Sequence, residues 1–263
     1  PFGDAAQIGV RGKIKDIWPG SGSSSPNHFM EVNGTLFFSA NHETNGTELW
    51  KTDGTEAGTS MVKDIISGSG GSSPSNFVEV NGTLFFSANH GSSGNELWKS
   101  DGTAAGTVLV KDIRSGANSS SIAYLTNLQG MLFFRANDGS TGYELWKSDG
   151  TEAGTVRVKD IRPGSNSSSP SNFVEVNGTL FFAANDGSKG TELWKSDGTE
   201  AGTTIVKDIR TGSSSSSLSY LTIMNDHFYF RAHDGSRGYE LWKSDGTEAG
   251  TVLVKDIQTG SGS

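Results

Sequence analysis

Between residues 172 and 209 the apolar and polar letters fall into four short runs. NFVEV mixes the two classes, TLFFAAND is apolar on consecutive positions, and TELWKSDG and TIVKDI follow. Asn177-Gly178, GSKG and TEAGT separate them. Asn-Gly supplies the positive backbone angles of a two-residue hairpin turn. Short β-prone runs joined by such turns predict a four-stranded antiparallel meander, and no stretch keeps a helical period over a useful length.

The third run recurs. Versions of ELWKSDGTEAGT begin at Glu48, Glu96, Glu144, Glu192 and Glu240, and KDI recurs at the same 48-residue step from Lys15 to Lys255. A fixed period of this length predicts a solenoid, propeller or array. A four-stranded unit repeated around a ring is the signature of a β-propeller blade. LFF is apolar on both faces of its strand, so neighbouring units must cover both. The expectation is therefore an all-β, single-domain β-propeller over residues 1–263, curled into a closed ring. Its five blades fall at about 28–65, 76–113, 124–161, 172–209 and 220–257. The first strand of each lines the channel, KDI lies at the rim, and a Ser/Gly loop returns the chain inward. Trp50, Trp98, Trp146, Trp194 and Trp242 are expected between blades, the alternative being solvent-facing sugar platforms; Trp18 is outside the series and is the better candidate for exposure. The Asp of each DGT is expected to close a turn on backbone amides.

The copies do not balance: the first three strands occur five times and KDI six times, because residues 12–17 supply an extra one. That segment is expected to be an extra edge strand, pairing at the closing blade or elsewhere. Exchange of this strand with a neighbouring molecule offers a route to self-association. An open array, or a piece of a larger ring, is the second reading.

ELWKSDGTEAGT at this step resembles the ELWxxDGT repeat family of exported bacterial proteins, over about residues 12–257, with Thr52 and Ala104 as small departures. The resemblance implies a secreted or cell-surface location and carries no catalytic residue. Strand order is also similar to a Kelch-type blade, by analogy alone.

If sameness reports scaffold, ligand contacts should lie where copies differ. Copies three and five replace the Ser or Ala of LFFSAN and LFFAAN by Arg and add tyrosines, giving Tyr124, Arg135 and Tyr143 and then Tyr220, Arg231 and Tyr239. An Arg fork beside Tyr rings suits carboxylates or sugars; the plainer reading pairs Arg135 with the Glu of its own ELW or lays it over a Tyr ring. Asp138, Asp186 and Asp234 stand in NDGS or HDGS turns. Plain Asp-Gly turns explain them; Ca²⁺ is the one metal such oxygens would suit, although His42 and His90 replace Asp in two copies. No cofactor is required. The NGT triplets read as turns.

Catalysis is not expected. Glu31, Glu79 and Glu175 on the innermost strand could form a carboxylate pair, but they repeat, whereas a catalytic pair should break the repeat. The five His show no metal spacing, and no phosphate loop or nucleophile elbow appears.

Composition narrows the partners. With 36 Gly and 33% hydrophobic residues the chain suits short strands and turns rather than a helical globule. The formal charge of −8, without a basic cluster, removes the counterion release that drives nucleic-acid binding. No apolar run approaches the ~20 residues that span a bilayer. Absence of Cys excludes disulfides and thiol chemistry, and Pro1 points to a processed or trimmed chain. The expected function is non-enzymatic: an extracellular or cell-surface propeller that binds glycan or protein surfaces at repeated equivalent sites. The alternatives are a structural subunit of a surface assembly and, third, a polysaccharide-acting enzyme.

Overall fold

Each Asn-Gly pair turns the chain as its letters require. Asn33, Asn81 and Asn177 sit at φ 51, 51 and 50°, each followed by a positive-φ glycine. In the computed structural model residues 13–257 are described. They form twenty strands in five four-stranded antiparallel sheets, each in sequence order. Blade 1 consists of Asn27–Val32, Thr35–His42, Gly46–Thr52 and Ser60–Lys63. Blades 2 to 5 repeat it over residues 75–111, 123–159, 171–207 and 219–255. The first strands of successive blades adjoin one another, so these strands lie innermost and KDI lies at the rim. This is the propeller arrangement that the repeat predicts.

The second strand explains the stacking. Its consecutive aromatics point to opposite faces, so each blade needs a neighbour on both sides. Phe37, Leu49 and Val62 of blade 1 pack with Leu84, Phe86 and Trp98 of blade 2. The same set joins blade 2 to 3, 3 to 4 and 4 to 5. All five repeat tryptophans are buried, with at most 7% of their surface exposed; Trp98, Trp146, Trp194 and Trp242 pack between blades, whereas Trp50, expected there too, packs with Ile17 because no blade precedes it among the described residues, and none is a sugar platform. Trp18 is only half-buried. Burying each such side chain contributes about 1.5–3 kcal/mol. Lysines from KDI add a bond across each boundary. Lys63, Lys111, Lys159 and Lys207 donate to the carbonyls of Thr107, Thr155, Thr203 and Thr251 at 2.7–2.8 Å.

The ring is open, against the expectation of closure. Among the described residues no core cluster joins blade 5 to blade 1. The face of blade 5 that would meet a successor is bare. Leu241 is 39% exposed where Leu49, Leu97, Leu145 and Leu193 are 0%, and Val254 is 44% exposed where its counterparts are 6–7%. The repeat specifies how one blade meets the next, but the rotation per blade decides whether five complete a circle.

The expected extra strand also differs. Residue 12 lies outside the described residues, and residues 13–17 form no strand, because no strand lies beside them to share a ladder. They fold back on blade 1 as a strap. Ile17 is buried with Phe38, Ala40 and Trp50, and Lys15 donates to the Thr59 carbonyl at 2.8 Å. Exchange of this segment with another molecule is therefore not needed to give it a seat.

Candidate functional site

The Arg–Tyr clusters form as the copies suggest. Arg135 lies in the second strand of blade 3, opposite Ala123 and Leu145. Its guanidinium carbon is 5.0 Å from the Tyr124 ring centroid and 5.1 Å from that of Tyr143. Arg231 repeats this at 5.2 Å from Tyr220 and 4.5 Å from Tyr239. The plainer reading is realised in its second form: Arg lies over Tyr rings, while Glu144 has other partners. Tyr124 and Tyr220 occupy the bulge of the first strand at φ 59 and 58°, where blades 2 and 4 place Asn. A bulky residue at positive φ is strained, and the cation–π contact offsets part of that cost. Tyr124 also stacks on Phe173 of blade 4 at 5.6 Å. Tyr220 has no such lid and is 73% exposed, against 41% for Tyr124.

The acidic turns are self-contained. Asp138 accepts from the amides and hydroxyls of Ser140 and Thr141 at 2.8–3.0 Å. Partial burial pulls its carboxyl upward, but these bonds outweigh it and hold the group below the usual carboxylate range. The same opposition, with Arg237 added at 2.6 Å, brings Asp234 down to about 2, and Asp186 behaves likewise through Ser188 and Lys189. Each carboxylate is bonded by its own turn, Asp138 also lying 3.8 Å from Arg157 of the rim strand, and among the described residues no three His, Cys, Asp or Glu converge as metal ligands. Glu31, Glu79 and Glu175 each accept from the hairpin glycine amide three residues on, at 2.5–2.7 Å. They brace the inner turns separately.

A recurring carboxylate has a larger role than its letters suggest. The Glu of ELW is buried in every blade. Glu96 accepts from the Ile113 amide at 2.9 Å and the Ser120 amide at 2.8 Å. It thereby clamps the end of KDI and the returning Ser/Gly loop to its own strand. Glu144 does the same with Ile161 and Ser168, and Glu192 with Ile209 and Ser216. Burial pushes Glu96, Glu144 and Glu192 up to about 7 and raises Glu48 as well, against the pull of these bonds. The Ser120 hydroxyl donates to the Asn95 carbonyl at 3.2 Å, which ties the same loop to the strand a second time.

The site that reading single copies misses lies between blades. Lys51 of blade 1 reaches across to the Gly102 carbonyl of blade 2 at 2.8 Å, beside Asp101. Lys99, Lys147 and Lys195 do the same toward Gly150, Gly198 and Gly246 at 2.9–3.2 Å. Open clefts of ≈ 110, ≈ 180 and ≈ 450 Å³ mark three of these boundaries, the first two largely polar and the third evenly mixed. Each holds a lysine of one blade and the Asp-Gly of the next. Asn33 or Gln129 stands at the edge of the first two. Thr103 donates to Asp101 through hydroxyl and amide and lowers its pKa. The aspartate therefore stays charged, its residue is exposed, and the lysine has donors to spare.

No family model matches the chain, and no curated protein matches it. Solved structures do. A puromycin hydrolase is similar with a TM-score of 0.56 at 14% identity, over 89% of this chain and 38% of that one. A prolyl endopeptidase is similar with a TM-score of 0.56 at 12% identity, over 89% of this chain and 37% of that one. The chain thus spans under two fifths of the length of each of these two proteins. At such identity the likeness carries the propeller fold and none of their chemistry.

Proposed function

We propose that this chain is a non-enzymatic binding propeller that acts outside the cell and holds glycan surfaces at the clefts between its blades. The observation that carries the reading is the recurrence of one donor–acceptor pair, Lys51 with Asp101, then Lys147 with Asp197 and Lys195 with Asp245, in open clefts. A polyhydroxylated ligand needs both a donor and a charged acceptor at fixed spacing, without a deep apolar pocket. Several weak sites on one rigid frame add by multivalency. The ELWxxDGT resemblance supports the exported location, and cell fractionation tests it. Protein surfaces of similar polarity are the other class of partner, whereas the acidic charge disfavours nucleic acid. The absence of catalysis is part of the proposal: the candidate carboxylates are spent on turns and clamps.

The test is a glycan array probed with the full chain, followed by titration of any hit. Several equivalent sites are expected, with binding lost when Lys51, Lys99, Lys147 and Lys195 are changed together to Met. A blank array, or binding indifferent to that fourfold change, rejects the reading. Product release from the same polysaccharides would reinstate the enzyme. An architectural role is the second reading, favoured by the uncovered apolar face of blade 5.

A further inference from the structure

The strap and the open ends belong to one feature. Lys15 makes the bond to Thr59 that Lys63 makes to Thr107. Ile17 covers Phe38, Ala40 and Trp50 as Ile113 of blade 2 covers Phe134, Ala136 and Trp146 of blade 3. Residues 13–17 therefore sit where the outermost strand of a blade preceding blade 1 would sit. Among the described residues, no inner strands of such a blade lie beside them.

Their seat is visible on both flanks. On blade 1 an apolar groove of ≈ 220 Å³ opens between the strap and the sheet, lined by Ile14, Ile17, Phe29, Leu36 and Phe38. At the equivalent place between blades 4 and 5, Phe181 enters, 4.6 Å from the Phe228 ring. A Cβ added to Gly246 would meet the tip of that same Phe181, and Gly102, Gly150 and Gly198 meet Phe37, Phe85 and Phe133 in the same way; Gly54 of blade 1 meets nothing. Phe29 is 57% exposed, and its counterpart Phe173 is the ring that Tyr124 stacks on. On blade 5 the other half of each contact is bare: Tyr220, Leu241 and Val254 are exposed. Lys243, counterpart of the cleft lysines, makes no cross-blade bond among the described residues.

We propose that residues 13–17 are the fourth strand of a closing blade, and that its first three strands come from polypeptide of this same repeat, continuous with blade 5. The occupant's chemistry is fixed by the four interfaces already formed. It must carry an LFF strand whose inward ring fills the groove over Gly54, and an ELW strand whose Trp faces the blade before it. Closure then adds a cleft at each new boundary, the one on blade 5 using Lys243. It also explains why the chain carries six copies of KDI and five of everything else. This inference stands apart from ligand binding.

The test extends the full chain after residue 257 with a copy of residues 66–100, the linker and three inner strands of blade 2. It does so directly, or behind one or two complete copies of the 48-residue module, giving six, seven or eight blades, within the range that rings adopt. Hydrogen exchange is read at residues 13–17 and on blade 5. At one length of the series the strap amides should slow by at least about a hundredfold as they enter a ladder, and the blade 5 strands should slow with them. Ile17→Asp at that length should remove the strap's protection and spare blades 2 to 4. If no length protects residues 13–17, or the added strands stay unprotected, the proposal fails. It also fails if the unextended chain forms a dimer that Val254→Lys abolishes, since the occupant would then be a second copy.

Discussion

Blades 3 and 5 carry almost the same letters and live in different surroundings. Both have the Arg–Tyr flavour, the same ELWKSDGTEAGT and the same four strands. Yet Leu145 is wholly buried and Leu241 is not, and Tyr124 lies under Phe173 while Tyr220 faces water. Strand and turn formation are local and follow the sequence of the blade itself. Burial is supplied by the neighbour. A repeat array is stable as the sum of its interfaces, so an end blade with one interface should open before an inner blade with two.

The sharpest way to break this comparison is the same truncation in both places. Leu145→Ala should cost about 2–5 kcal/mol, as core leucines do. Leu241→Ala should cost a fraction of that, because its side chain already meets water. Urea unfolding followed by tryptophan fluorescence measures both, and equal losses would mean that blade 5 is covered.

The next effect belongs to the inner blades' glutamates and appears as pH dependence. Glu96, Glu144 and Glu192 have folded-state pKa values of about 7, above the ordinary 4.5. Between those values the folded chain keeps protons that the unfolded chain has released. Their contribution is full below about pH 4.5, is lost as pH rises through about 7, and is flat beyond. Within that window each group lowers stability by up to about 1.4 kcal/mol per pH unit. The aspartates of the DGT turns shift the opposite way, so their contribution is lost only as pH falls below the ordinary Asp range. Thermal midpoints across pH 4–8 should fall toward alkaline pH, and Glu→Gln at the three positions should flatten the profile.

Smaller is the Arg contrast. Arg135→Ala, which uncovers strained Tyr124 inside an interface, should cost about 1–2 kcal/mol, against roughly 0.5 for Arg231→Ala at the exposed end. Denaturant midpoints of the two variants decide it. Smallest is the cross-blade lysine: Lys111→Met loses its bond to the Thr155 carbonyl and a longer one to that of Glu152, together worth about 1 kcal/mol. Lys255→Met, which meets no following blade among the described residues, should be silent in the same assay.

Much of this was legible in the letters. Asn-Gly marked the hairpins, LFF demanded two covered faces, and the 48-residue step set five equal sheets with Trp98, Trp146, Trp194 and Trp242 between them. Arg135 over a Tyr ring was one of the readings that the joint change of Tyr124 and Arg135 left open, beside an ion pair with Glu144 and a ligand site. Other features were not legible, for physical reasons. Closure depends on rotation per blade, which no single residue encodes. The Glu clamp was hidden because the same residue recurs in every copy, although an acid placed between residues buried on both strand faces has nowhere to go but inside. The clefts were missed because Lys51 and Gly102 stand 51 positions apart. Repetition made them look like scaffold.

The central claim is that each blade is held by the blades on either side of it, and native-state hydrogen exchange resolved by strand tests this most directly. The account predicts that the third strands of blades 2, 3 and 4 exchange only through the largest openings, while Tyr239–Ser244 of blade 5 exchanges through a markedly cheaper one. Uniform protection across all five blades, with Tyr239–Ser244 as slow as Tyr143–Ser148, would contradict it.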